Sequence, residues 1–285
     1  VIQRRVQQGL GAGSGTSYRP FLNRRDFHRI TDQLFFWEEM NRPVLLIGQD
    51  RKAFFLDCLF TCAENLIDLR EFPYLPTSDT RNVAEKLGMR HPQNAYHALI
   101  PLCPDFELFL RTPEGIRHEF ISLTTDEMYK RIQRKDPPRS FPQYTLLILS
   151  EYCSQLKITH RIVTESELNP IRIRNIQRIL ASRRLDLSFP EEAKNWFQLR
   201  YETTSHSVIS LAQDCCAKFN LPENQGINLF FQLVWDKRIH PDLDNQPLFL
   251  TKAREQQSLP SFDLPENLFQ GSATPGPAGN TLWRY

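Results

Sequence analysis

A β-strand is predicted by the stretch Leu99-Ile100-Pro101-Leu102-Cys103-Pro104-Asp105-Phe106-Glu107-Leu108-Phe109-Leu110. The residues Thr112-Pro113-Glu114-Gly115 then predict a turn. A second strand is predicted by His118-Glu119-Phe120-Ile121-Ser122-Leu123-Thr124. Two runs of apolar and β-branched residues around a Pro- and Gly-containing turn are typical of a hairpin. This hairpin carries an acid, Asp105, on its first strand.

The composition bounds the class of protein. The chain has 285 residues, 40% of them hydrophobic, and includes 20 Phe. That length predicts one large or two small domains with a substantial core. The formal net charge is only +2, so bulk charge argues neither for nor against a nucleic-acid partner.

Basic residues are unevenly distributed. Residues 1–30 hold six Arg against one Asp, and two further short segments are rich in Lys and Arg. Such clusters together fit a protein with one cationic face, although for any single cluster a solvated helix face is the favoured interpretation. The candidate DNA-binding residues are Arg4, Arg5, Arg19, Lys130, Arg131, Arg134, Lys135, Arg172 and Arg174.

Cysteine and hydropathy patterns set further expectations. The six Cys contain no Cys-x-x-Cys pair, so we expect buried reduced thiols and no zinc site. No apolar run approaches the roughly 20 residues that a membrane span needs. We therefore expect a cytoplasmic, nucleoid-associated protein that contacts no membrane.

The remaining chain predicts four regions. A basic, Gly-rich arm, expected to be mobile, covers residues 1–30. An α/β domain with a mixed sheet covers residues 31–186, with a helix over Arg51–Asn65 capped by Asp50 and a later helix capped by Asn169. A small α+β domain resembling a winged helix covers residues 187–257, with a strand or wing at Leu248-Phe249-Leu250. Residues 258–285 predict a flexible tail or linker.

Several segments together resemble TnsA, the endonuclease subunit of Tn-seven-like bacterial transposases. Their order and spacing carry the resemblance, which spans roughly residues 1–251. The segments are Gly9-x-Gly11-x-Gly13-x-Gly15-x-x-Tyr18-x-Pro20-Phe21-Leu22, Asp68-Leu69-Arg70-Glu71-Phe72-Pro73-x-Leu75-Pro76, Ser78-Asp79-Thr80-Arg81, Gly88-x-x-His91-Pro92, Pro104-Asp105-Phe106, Glu167-Leu168-Asn169-Pro170, Leu233-Val234-Trp235-x-x-Arg238 and Asp242-Leu243.

The resemblance implies a restriction-endonuclease-like core followed by a winged-helix-like domain. It also implies cleavage at transposon 5′ ends beside a DDE-type transposase, TnsB, and contact with a regulatory AAA+ ATPase, TnsC. The family's chemistry uses a helix glutamate and a hairpin aspartate to hold Mg²⁺, with a lysine on the second strand to position water. Target choice by a CRISPR effector stays open.

Transfer of the family's catalytic residues leaves two positions without the expected side chain. Asp105 matches the hairpin aspartate. The glutamate position falls at Lys52 or Ala53, and the lysine position falls at Leu123 or Thr124. A lysine in place of a carboxylate adds a cation that competes with Mg²⁺. We therefore expect no metal at this site and a subunit that binds transposon-end DNA without cutting it.

Two alternatives remain. In a rewired, active endonuclease, Asp57 and Asp105 would hold Mg²⁺, with Asp50 and Lys130 close by. The favoured interpretation of Asp50 is a helix cap, and that of Asp57 is a solvated helix residue. Glu64 is too near the helix end to substitute for the family glutamate. The other alternative is a DNA-binding regulator unrelated to transposition.

Overall fold

The computed structural model describes residues 2–27, 32–134, 140–185, 187–204 and 206–248. Within these residues the chain divides into two compact units. The first comprises residues up to 55 together with 62–167, and the second comprises residues 56–61 and those from 168 onward.

The first unit alternates strands and helices. In chain order its elements are α1 Ile2–Gln7, β1 Asp32–Trp37, β2 Arg42–Ile47, α2 Gln49–Thr61 (shared with the second unit), β3 Leu66–Glu71, α3 Thr77–Lys86, β4 Phe106–Thr112, β5 Gly115–Thr124, α4 Asp126–Gln133, α5 Phe141–Leu156 and β6 Thr159–Thr164.

A four-stranded sheet with the order β3-β4-β5-β6 organises this unit. The pairs β3–β4 and β4–β5 are antiparallel, whereas β5 and β6 are parallel. Strands β1 and β2 form a separate antiparallel pair. The prediction of an α/β fold with a mixed sheet is therefore confirmed, and this sheet is compatible with a nuclease-like core.

Helices cover both faces of the sheet. Phe120 of β5 belongs to a buried cluster with Val83 of α3 and Leu149 of α5. Phe106 of β4 stacks on Phe54 of α2, with ring centroids 5.3 Å apart. Phe106 lies opposite Ile121, the neighbour of Phe120, and successive residues of a strand point to opposite faces. Helix α2 therefore packs on one face, and α3 and α5 pack on the other.

Two element boundaries differ from the sequence prediction. Strand β4 begins at Phe106 and not at Leu99, because Pro101 and Pro104 lack the N–H that a ladder needs. Helix α2 begins at Gln49, which places Asp50 inside the first turn and corrects its prediction as the cap. An acid in the first turn is still favourable, because it faces the positive end of the helix dipole.

The Gly-rich arm is packed in the structure, in contrast to the mobile segment expected from its composition. Gly11 donates its N–H to the carbonyl of Arg19 at 2.6 Å, and a Cβ built on Gly11 would lie 2.5 Å from Cβ of Tyr74. Gly15 donates its N–H to Oδ2 of Asp68 at 3.1 Å. Gly11 therefore permits a close approach of the backbone to the rest of the unit, a role that composition cannot distinguish from flexibility.

The described part of the second unit is helical. It contains the end of α2 followed by α6 Pro170–Arg183, α7 Glu191–Thr203, α8 Val208–Phe219 and α9 Gln225–Trp235. The predicted cap is confirmed, because Oδ1 of Asn169 accepts from the N–H of Ile171 at 2.9 Å. Phe197, Leu211 and Phe230 are buried in this unit.

Two predictions fall wholly or partly outside the described residues. The predicted strand at Leu248-Phe249-Leu250 includes residues 249 and 250, which the structure does not describe, and the predicted tail at 258–285 is not described at all. A winged-helix domain is therefore not confirmed. No described helix combines the length and the apolar character that crossing a bilayer requires.

Candidate functional site

Asp105 lies where β4 begins, with its backbone held by both neighbouring strands. Its N–H donates to the carbonyl of Ile121 at 2.9 Å, and its own carbonyl accepts from the N–H of Phe72 at 3.1 Å. The Asp105 side chain is only 11% exposed. A buried carboxylate needs partners, because burial without them carries a large desolvation cost.

Arg51, in the first turn of α2, supplies the first partner. Its Nε lies 2.7 Å from Oδ1 of Asp105, and its Nη2 lies 2.5 Å from the same oxygen. Its Nη1 donates to the carbonyl of Ile47 at 2.9 Å. The guanidinium carbon also lies 5.4 Å from the ring centroid of Phe72. Contacts with Asp105, the Ile47 carbonyl and the Phe72 ring therefore fix the position of the Arg51 guanidinium.

Phe72 is itself in an unusual conformation. Its φ is +49°, in the left-handed region that bulky side chains rarely adopt. Its carbonyl accepts from the N–H of Phe21 at 3.1 Å, so both polar backbone groups of Phe72 are bonded. Backbone strain of this kind persists only where the surrounding contacts enforce it, and it clusters at functional sites.

The second oxygen of Asp105 is bonded as well. The backbone N–H of Leu123, on β5, donates to Oδ2 at 2.6 Å. One oxygen therefore faces a guanidinium and the other faces an amide. Mg²⁺ requires a near-octahedral set of oxygen ligands. No group of three or more His, Cys, Asp or Glu within the described ranges is arranged to hold a metal ion. The donor set around Asp105 does not fit a divalent cation.

The positions implied by the family resemblance lie around this pair. Lys52 follows Arg51 in α2 and is half-buried, and burial lowers the pKa of its ammonium. Leu123 contacts Asp105 through its backbone N–H. The sequence prediction named Lys52 as the competing cation, and the structure assigns that place to Arg51. In the sequence, the adjacent basic residues Arg51 and Lys52 indicated a cation at this position. Only the phase of the helix decides which of the two faces Asp105.

Asp57, the second ligand of the rewired alternative, is already paired within the second unit. Oδ1 of Asp57 accepts from Nε of Arg172 at 2.7 Å. Arg172 also contacts Oγ1 of Thr61 at 3.0 Å and Oδ1 of Asp244 at 3.3 Å. These partners account for the three nitrogens of Arg172, a predicted DNA-binding residue, and make it part of the internal packing of this unit.

The other predicted residues differ in their exposure and in their pairing, and Arg131 is both paired and exposed. Arg5 pairs with Asp26, with Nη1 2.9 Å from Oδ2, and Arg131 pairs with Glu127 on α4. Lys135 lies outside the described residues. Asp50 and Glu64 are exposed, with Glu64 beyond the end of α2. The predicted cations that are exposed are Arg4, Arg19, Lys130, Arg131, Arg134 and Arg174.

The segment of residues 68–76, which follows α2, is bonded to other parts of the first unit through Glu71. Arg42 is buried, and its Nη1 lies 2.9 Å from Oε2 of Glu71. Oε1 of Glu71 accepts from the N–H of Leu45 at 3.1 Å, which ties β2 to β3. The hydroxyl of Tyr18 donates to the carbonyl of Glu71 at 2.7 Å. Two of the segments that carry the family resemblance therefore meet directly in the fold.

Comparison with known proteins gives a similarity to a transposition protein. No protein-family model matches the chain. Over 188 residues it is 27% identical to the transposition protein TnsA of transposon Tn7 from Escherichia coli, a match that covers 62% of this chain and 60% of that protein. The chain therefore spans about three-fifths of the relative's length. This weak similarity supports a TnsA-like relationship.

Proposed function

We propose that this chain is a TnsA-like subunit that binds transposon-end DNA without cutting it. The observation that carries the proposal is the Arg51–Asp105 ion pair. A guanidinium 2.7 Å from Oδ1 of Asp105 bonds to an oxygen that a metal ion would need as a ligand. Binding Mg²⁺ there requires breaking a charge-assisted contact that is largely shielded from water.

Three further features support this function. The chain is similar to a transposition protein, and its mixed sheet is compatible with a nuclease-like core. Lys130 of α4 and Arg134, which caps the C-terminal end of that helix, are four positions apart, and both are exposed. Exposed cations at this spacing suit contacts to successive phosphates, which supply most of the sequence-independent affinity for DNA.

The proposal extends to domains and partners. In this proposal residues 31–186 are the nuclease-like domain, and residues 187–257 are a winged-helix-like domain that contains α7, α8 and α9. Helix α6 falls within the first range, whereas the structure groups it with the second compact unit. The subunit connects a TnsB-like DDE transposase to a TnsC-like AAA+ ATPase at the transposon end. Because it leaves the 5′ strands intact, transposition yields cointegrates and not simple insertions.

A cleavage assay tests the proposal directly. The purified chain is combined with its DDE transposase, labelled transposon-end DNA and Mg²⁺ or Mn²⁺, and both strands are resolved on a sequencing gel. We expect retarded DNA without 5′ cuts in the presence of either metal. Metal-dependent 5′ cuts that disappear in Asp105→Ala would overturn the proposal.

The same assay evaluates the rewired endonuclease. That alternative requires Asp57→Ala to abolish cutting as Asp105→Ala does. Loss of cutting in both variants establishes it, provided that Arg172→Gln, which disturbs the same ion pair without removing a carboxylate, still cuts. A chain that binds a defined site alone and shows no dependence on a transposase favours the regulator.

A further inference from the structure

A cleft of about 360 Å³ lies in the first unit, away from Asp105. It is formed by the C-terminal half of α3 and the loop that follows it. Its volume falls in the range of small-ligand sites, roughly 300–1,000 Å³. Its lining includes Arg81, Glu85, Arg90, Gln93 and His97.

The charge of this cleft favours an anion. Nε of Arg81 lies 2.8 Å from Oε1 of Glu85, an exposed pair of the kind that contributes little stability. Nη2 of Arg90 donates to Oε1 of Gln93 at 2.8 Å, a neutral partner that orients the guanidinium without cancelling its charge. The lining therefore holds two arginines against one glutamate.

The loop beside the cleft is fixed by its own hydrogen bonds. Oδ1 of Asn94 accepts from the N–H groups of Tyr96 at 2.9 Å and Ala98 at 3.0 Å. The N–H of Asn94 donates to the carbonyl of Ala98 at 2.9 Å. His97, on the cleft wall, has a φ of +59°. The conformation of the loop is therefore set before any ligand binds.

This loop presents an aromatic side chain to solvent. Tyr96 is 84% exposed, more than any other large apolar side chain among the described residues. Tyr96 directly precedes His97, which lines the cationic cleft, so the two belong to the same loop at its edge. An aromatic residue on a fixed loop beside cations suits stacking on a nucleobase whose phosphate meets the cations, and such stacking is tolerant of base identity.

We propose that Tyr96 and this cleft form a nucleotide-binding site, with the phosphate at Arg90 and Arg81 and the base on the Tyr96 ring. A nucleotide of a DNA strand and a free nucleotide share this chemistry. Assignment to DNA rests on the proposed function. A base offers its face only where it is unpaired or terminal, so the DNA form of the ligand is an end, a nick or a single-stranded segment.

The test uses the full chain and fluorescence anisotropy with two labelled DNAs of the same sequence. One is a covalently closed duplex circle, which has neither ends nor unpaired bases, and the other is the linear duplex with a single-stranded overhang. Tyr96→Ala should weaken binding of the overhang DNA on the order of tenfold and leave the closed duplex nearly unchanged, since one stacked base accounts for about that factor. Tyr96→Phe should bind like the unaltered chain.

Arg90→Gln should make the affinity for the overhang DNA less dependent on salt. The slope of log affinity against log salt concentration should fall in magnitude by the amount that corresponds to about one phosphate contact. The matched controls are Arg111→Gln and Ile116→Ala, since both side chains are exposed on the β4–β5 hairpin outside the cleft. Both controls should bind as the unaltered chain does.

The outcomes separate the two proposals. If the unaltered chain binds overhang DNA and both Tyr96→Ala and Arg90→Gln bind it equally well, the cleft proposal fails and the DNA-binding function stands. If the chain binds no DNA but binds deoxyadenosine monophosphate in a Tyr96-dependent way, the site takes free nucleotides and the proposed function fails. If it binds neither, both fail.

Discussion

Arg51 and Asp105 are 54 residues apart in the chain, yet Nε of one lies 2.7 Å from Oδ1 of the other. Helix α2 delivers the cation and the start of β4 delivers the carboxylate. The pair is largely shielded from water, with side chains 24% and 11% exposed. The structure therefore satisfies Asp105 with a side chain of the protein.

The first prediction concerns the coupling of this pair. A double-mutant cycle with Arg51→Gln and Asp105→Asn should give a coupling free energy of about 1–3 kcal/mol, because each single change leaves a partly buried group without its partner. Urea unfolding measures it. The exposed pair Arg81–Glu85 is the control, with about 0.5 kcal/mol or less expected. Equal coupling in the two pairs would contradict the role assigned to Arg51.

The second prediction concerns metal binding. Arg51→Glu places a second carboxylate where the guanidinium now meets Asp105, and two carboxylates in contact repel each other unless a cation joins them. Saturating Mn²⁺ should raise the free energy of unfolding of this variant by an amount on the order of 1–3 kcal/mol. The unfolding temperature should rise by several degrees as a result. Arg51→Gln and the unaltered chain should not respond to Mn²⁺. A response of the unaltered chain that Asp105→Asn removes would show that the native site binds metal.

The third prediction separates exposed from internally paired cations. Lys130→Gln should weaken DNA binding and reduce its salt dependence by about one phosphate contact. Arg172→Gln should leave DNA affinity nearly unchanged and lower the free energy of unfolding, because Asp57 and Asp244 lose their shared partner. Anisotropy and urea unfolding measure the two effects. A larger loss of affinity in Arg172→Gln would show that its ion pairs open on DNA.

The fourth prediction concerns pH. His160 lies between the hydroxyls of Ser122 and Ser150, at 2.9 and 2.8 Å, and burial lowers its pKa from 6.5 to about 4. The unfolded state therefore binds more protons between these two values, so the stabilising contribution is complete above pH 6.5 and is lost as pH falls towards 4. The loss amounts to about 3 kcal/mol at most. In His160→Gln, the free energy of unfolding should depend less steeply on pH across this range. An unchanged slope would show that other groups cause the pH dependence.

The fifth prediction concerns the Gly-rich arm. Gly11→Ala should lower the free energy of unfolding by about 2 kcal/mol or more, because φ is +77° and the new methyl group would lie 2.5 Å from Cβ of Tyr74. Gly9→Ala is the matched control, with a φ of +72° and no atom within 4 Å. It should cost only the conformational penalty, about 1 kcal/mol. Equal costs would indicate that the arm does not pack against Tyr74.

The sequence alone was sufficient to predict those features of the fold whose deciding interactions lie within a few residues of each other. Asn169 accepts from the N–H of Ile171, two residues away, so the start of α6 was visible in the sequence. The β4–β5 hairpin closes at Gly115, and its turn residues predicted it. The mixed sheet followed from the order of such elements, and the location of Asp105 followed from its place in the hairpin.

Only the tertiary structure decided which side chains meet. Arg51 and Lys52 are adjacent and chemically similar, and the phase of α2, set by its start at Gln49, turns Arg51 towards Asp105. Arg172 reaches Asp57 across 115 positions of sequence, a separation over which no local pattern exists. The sequence determined the elements and the acid because these depend on short-range backbone preferences. The partner of that acid depended on packing between distant segments, which no short stretch of sequence encodes.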